Sequence, residues 1–147
     1  MPYHTGATTA WPRILRCIAI LTLLYGAAVI GEAVSTALII WPLRRIPKIP
    51  ATPGLYWFWA IGCALMVAIG TTLIWGAARL LRSASHHLIL VGFWTLIALW
   101  PVGTLISLFI QPALGYFNLL MASVLHGTAR NLFPFLVILL LRAHRLR

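Results

Sequence analysis

Acidic side chains are all but missing from this chain. Glu32 is the only one among 147 residues, against eleven Lys and Arg. That removes paired carboxylates, and with them the acid–base chemistry that needs two of them. Cysteine is scarce too: Cys17 and Cys63 both lie in apolar sequence, without metal-type spacing. They read as small core residues, which leaves no zinc cluster, redox CxxC pair or disulfide framework. Charged residues of both signs make up 8% of the chain, where a soluble domain carries about a quarter. No nucleophile–base motif and no glycine-rich phosphate loop occurs. These absences exclude a soluble globular domain and leave no visible machinery for an enzyme, so a non-catalytic protein without metal or cofactor is expected.

What the chain has in quantity is apolar surface: 62% of residues are hydrophobic and the mean hydropathy is +0.99. Four apolar stretches stand out, each near or above the roughly 20 residues a spanning helix requires. They run from about Ile14 to Ile40, Leu55 to Ala78, Leu88 to Ile110 and Tyr116 to Leu141. The pattern predicts an all-α polytopic membrane protein, with residues 1–147 forming a single domain of four transmembrane helices in an antiparallel bundle. Met1 to Ala10 reads as a polar tail. Arg13 and Arg16 ahead of an apolar run suggest a signal peptide. The run to Ile40 outlasts the roughly 7–15 residues of a signal core, however, and reads as an uncleaved first span. Between the spans, Trp41 to Gly54 holds prolines at 42, 47, 50 and 53 and is expected to be extended. Arg79 to His87 reads as a basic turn, and Gln111 to Gly115 as a tight one.

The formal net charge of +10 and the pI of 11.4 would suit nucleic acid if the basic residues clustered on one face. They fall instead in short groups between the apolar runs, the pattern of the positive-inside rule, so no nucleic acid partner is expected. Arg13, Arg16, Arg79, Arg82, Arg142, Arg145 and Arg147 lie on one side, and Arg44, Arg45 and Lys48 on the other. Both termini are therefore expected in the cytoplasm, in a bacterial-type inner membrane whose anionic head groups supply the counter-charge. Trp11, Trp41, Trp57, Trp59 and Trp75 lie near span ends, where indoles settle at the head-group level. Trp100 is deeper and reads as a packing residue.

The polar groups inside the spans carry the functional question. Glu32 shares a helix face with Ala28, Ser35 and Thr36, beside a ridge of Ala27, Gly31 and Ser35. Small residues four apart let another helix approach closely, so Ala27, Gly31 and Ser35 are expected to be helix-packing positions. In the last span Ser123, His126 and Arg130 form one stripe, with His126 near the centre and Arg130 about a turn further in. An intramembrane arginine needs a carboxylate, carbonyls or water. The sequence therefore predicts a polar cluster of Glu32, His126, Arg130 and Ser123. Such a cluster acts as an interhelical fastener in one reading and as a proton, cation or ligand site in the other. His86 and His87 read as solvated interface residues. Metal ligands are too few for a zinc site.

Residues 25–36, Tyr-Gly-Ala-Ala-Val-Ile-Gly-Glu-Ala-Val-Ser-Thr, resemble the first helix of small multidrug resistance transporters. That resemblance implies four spans and a membrane-embedded carboxyl, Glu32, that binds protons and cationic drugs in turn. The family's second-helix motif of Pro, Tyr and Trp has no counterpart between Leu55 and Leu81. Three functions remain open. The leading one is a non-catalytic accessory or interaction subunit of a larger inner-membrane assembly, partnered by other membrane subunits or by further copies of itself. The alternative is a homodimeric proton-coupled small transporter using Glu32, and the third is a haem-binding membrane anchor using His126 and another histidine.

Overall fold

The computed structural model describes residues 7–43, 53–83, 85–110 and 116–145, with side chains over most of them. The fold is all-α: α1 spans Ala7–Leu43, α2 Pro53–Ser83, α3 His87–Ile110 and α4 Tyr116–Arg145. There is no strand among the described residues. Three helices are long and apolar enough to cross a membrane, over Pro12–Ile39, Tyr56–Arg82 and His87–Ile106. Helix α4 carries His126, Arg130 and Asn131 in its central half.

The helices outrun the apolar stretches at several ends. Residues 7–10, read as part of a polar tail, belong to α1. The proline-rich connection after Trp41 does not stop α1 at once, because the helix continues through Pro42 to Leu43. A proline in the last turn forfeits only one intrahelical hydrogen bond, to a carbonyl close to the helix end. Residues 44–52 of that connection lie outside the described residues. Helix α2 opens on Pro53, whose fixed φ and missing N–H suit the first helical position. It then runs past Ala78 to Ser83, so Arg79 and Arg82 are helical and not part of a turn. Ala77-Ala78-Arg79-Leu80-Leu81-Arg82 are all good helix formers, and Arg82 in the last turn complements the helix dipole. The Leu90 N–H donates to the His86 carbonyl at 3.1 Å, which closes the first turn of α3.

The chain divides into two compact units, Met1–Gly92 and Phe93–Arg147. In the first, α1 and α2 pack where Gly26 meets Gly70. A Cβ on Gly26 would stand 2.9 Å from the Gly70 carbonyl oxygen, and one on Gly70 2.8 Å from the Gly26 oxygen and 2.5 Å from Ile30 Cγ1. The backbones themselves are therefore in contact, which only residues without Cβ permit. Gly26 faces Leu73 and Ile74 while Ile30 faces Gly70, so the two helices run antiparallel. Gly26 and Gly70 lie at the middle of the apolar spans Pro12–Ile39 and Tyr56–Arg82. Around the crossing, Ala19, Thr22, Val29 and Ala33 of α1 are buried, as are Ile69, Leu73, Ala77 and Leu80 of α2. Their spacing of three and four is the ridge one helix offers another. The first turns of α3 join this unit: Gly76 lies against Leu88 and Ile89, and Gly92 against Leu73.

In the second unit α3 and α4 are also antiparallel. Phe93 meets Phe133 edge to face at 5.8 Å, and the Trp100 indole lies against Gly127. Leu96, Pro134, Val137, Ile138 and Leu141 are buried here. Large apolar side chains also cover the outer faces, including Leu38 at 69%, Trp57 at 70% and Leu132 at 66% exposed. Apolar surface of that extent is intolerable in water and suits contact with acyl chains.

This packing predicts opposite outcomes for two glycines of similar sequence context. Gly70→Ala should lower the thermal stability of the detergent-solubilised protein by about 1–3 kcal/mol, because the added methyl forces α1 and α2 apart. Gly31→Ala meets nothing within 4 Å, and should be neutral or slightly stabilising through helix propensity. Equal melting temperatures for the two variants would contradict the Gly26–Gly70 crossing.

Candidate functional site

Glu32 stands on α1 six residues beyond Gly26, about 9 Å along the axis from the crossing. It is exposed, and so are Ala27, Ala28, Gly31 and Ser35, while Thr36 is half-buried. These residues form one face of the helix, turned away from α2 by the rotation that buries Gly26, Val29 and Ala33. The Ser35 hydroxyl donates to the Glu32 main-chain carbonyl at 2.9 Å, so its polar group is turned back onto its own helix. The face left outward is therefore small and smooth, with one carboxyl on it. Within its unit the ridge of Ala27, Gly31 and Ser35 is not the one against α2; the close approach falls one residue away, at Gly26.

His126 and Arg130 lie on α4 in the second unit, whereas Glu32 belongs to the first. Ser123 is on the same helix, but its side chain falls outside the described residues. The pairings of Phe93 with Phe133 and Trp100 with Gly127 set the register of α3 against α4. They bring Arg130 level with Leu96 and Ile97, within about 3 Å of the middle of α3 along the axis. His126 falls level with Trp100, about as far to the other side of that middle. His126, expected near the centre, is exposed. Arg130 is half-buried with its Nε enclosed. Pro134, itself buried, has no N–H to donate to the Arg130 carbonyl one turn earlier.

Two buried polar groups escaped the sequence reading. Thr22 is fully buried in the α1–α2 core, and its Oγ1 has no hydrogen-bond partner among the described residues. Thr71 and Thr72, by contrast, donate to the carbonyls of Val67 and Ala68 at 2.8 Å each. Asn131 has both side-chain amide atoms enclosed without a partner among the described residues. Neither has a sequence signature, since burial of one polar residue in an apolar run depends on which face meets a neighbour.

The cations nearer the helix ends behave differently. Arg142 is exposed and lies over the Trp94 ring at 5.5 Å, and Arg79 lies over Trp75 at 5.9 Å. Both contacts are cation–π pairs of guanidinium with indole. Among the described residues no three His, Cys, Asp or Glu side chains gather as a metal site requires. Both cysteines are free, Cys17 exposed and Cys63 half-buried. Compared with known protein families, characterised proteins and solved structures, the chain matches none.

Two substitution series follow from these surroundings. Arg130→Leu should destabilise the detergent-solubilised protein clearly more than Arg142→Leu. Arg130 is half-enclosed at the middle of its helix pair, while Arg142 can reach the membrane interface. Equal melting temperatures would show that Arg130 anchors nothing. Thr22→Val keeps the shape and removes the buried hydroxyl, so it should raise stability by about 1 kcal/mol or more. A fall in melting temperature would show that the hydroxyl has a partner such as water.

Proposed function

We propose that this protein is a non-catalytic accessory or interaction subunit of a larger inner-membrane assembly, docking through the outer face of α1. One observation carries this reading. The only acidic side chain of the chain stands exposed on a smooth, small-residue face of an apolar helix, about 9 Å from its middle. An exposed carboxyl at that depth is costly against acyl chains, and intramembrane ionisable groups normally face protein or a wet cavity. Ala27, Ala28 and Gly31 beside it let a further helix come within backbone distance. Ser35, with its hydroxyl turned inward, adds no competing polar group. The matching surface is an apolar membrane helix that packs against this small-residue ridge.

The balance of Lys and Arg supports an arrangement with both termini in the cytoplasm. A reporter fused at Arg147 should then give a cytoplasmic signal. An extracytoplasmic signal would reverse the placement of every charged residue.

The docking face is tested by substitutions that leave the fold of the chain alone. Gly31→Leu adds bulk where nothing lies within 4 Å, and Gly103→Leu does the same on α3. After extraction in mild detergent, Gly31→Leu should lose co-purifying membrane partners while Gly103→Leu retains them. Glu32→Gln keeps size and hydrogen bonding without the negative charge, and should weaken the same association. Gly31→Leu retaining every partner would remove the docking face. A Glu32→Gln variant that assembles normally but abolishes pH-gradient-driven uptake would replace this reading with the homodimeric proton-coupled transporter.

A further inference from the structure

The antiparallel crossing of α1 and α2 gathers arginines that lie far apart in sequence. Arg16 precedes Gly26 by ten residues and Arg82 follows Gly70 by twelve, so both stand about 15–18 Å from the crossing, at the same end of the unit. Arg79 lies there too, about 13 Å from the crossing, and Arg13 about 20 Å from it. The turn into α3 adds His86 and His87, with His87 exposed and His86 half-buried. Each arginine pair, 13 with 16 and 79 with 82, shares a helix face at a spacing of three. All four arginines are exposed. No acidic side chain stands at this end, because Glu32 is on the other side of the crossing, sixteen residues or about 24 Å from Arg16.

With the crossing at the middle of both apolar spans, 15–18 Å is the edge of the hydrocarbon, whose half-thickness is about 15 Å. At that level the plentiful anion is the phosphodiester of a phospholipid. Guanidinium groups suit it, since their planar fork of donors matches two phosphate oxygens. We infer that the end of the first unit formed by Arg13, Arg16, Arg79 and Arg82 binds the head groups of anionic phospholipids. Arg16 and Arg82 stand at the depth of the phosphates. Arg79 is held over the Trp75 indole just inside that boundary. Trp75 itself is 61% exposed and offers its face to the same lipid layer. This surface is independent of the docking face around Glu32.

The test uses the purified full chain in mild detergent, with mixed micelles of phosphatidylglycerol, of phosphatidylcholine, or with inorganic phosphate alone. Retained lipid and thermal unfolding are both measured. Phosphatidylglycerol should be retained over phosphatidylcholine, and raised ionic strength should diminish the difference. Arg16→Gln and Arg82→Gln should each weaken retention about fivefold, while Arg16→Lys and Arg82→Lys keep most of it. The double change Arg44→Gln with Arg45→Gln, between α1 and α2 in the sequence, should leave retention unaltered. The inference is overturned if the wild-type chain holds both lipids equally, a result that needs no variant to fold. It is also overturned if the Arg44 and Arg45 changes cost as much as those at Arg16 and Arg82. Protection by inorganic phosphate equal to that by phosphatidylglycerol would assign the surface to a free anion and reject the lipid.

Discussion

Contact between the α1 and α2 backbones at Gly26 and Gly70 is the constraint on which the first unit depends. Between membrane helices there is little hydrophobic driving force, because acyl chains are as apolar as leucine. Association then rests on how closely backbones approach and how many dispersion contacts that approach opens. Gly26 and Gly70 lie at the middle of their spans, so the closest backbone approach falls midway along both helices. Once the crossing is set there, the helix period decides the rest. Thr22, Val29 and Ala33 turn inward, and Ala27, Gly31 and Glu32 turn outward.

The second unit uses the same device with a different partner. Gly127 offers bare backbone, and Trp100 lays an indole against it where another side chain would block the approach. That contact and the Phe93–Phe133 edge pair set the register that carries Arg130 to mid-helix depth. Burial of the neighbouring Asn131 amide, without a partner among the described residues, makes this stretch of α4 the most polar enclosed part of either unit.

Charge is distributed along the depth of the chain in a way that separates its possible roles. The arginines at the ends of α1, α2 and α4 lie where solvent and phosphate are within reach. Glu32 and Arg130 stand nearer the middle of their helices, where an ionisable group in lipid is normally held by protein or by trapped water. The interaction role for the α1 face and the lipid role for the basic end draw on different residues and different depths. Neither requires a cofactor or a reaction.

Composition alone determined the class: an apolar, acid-poor chain with four runs of spanning length has only the helix as a way to satisfy its backbone in lipid. The starts of α3 and α4 were legible to within a residue, because the sequence just before them carries helix-breaking or turn-forming residues, Ser85 in one case and Pro112 and Gly115 in the other. Helix ends at Leu43 and Ser83 were less so, since prolines and arginines mark the edge of the bilayer sooner than the end of the helix. Which ridge of α1 packs was decided by the tertiary structure. Ala27-Gly31-Ser35 and the ridge through Gly26 differ by one residue, or about 100° of rotation, and both are rich in small side chains. Nothing within α1 distinguishes them; the choice belongs to Gly70 and Ile74 on the facing helix. The same holds for Trp100 against Gly127 and for the depth of Arg130. Each is a property of register between two helices, and register is fixed by surfaces meeting, not by either sequence read alone.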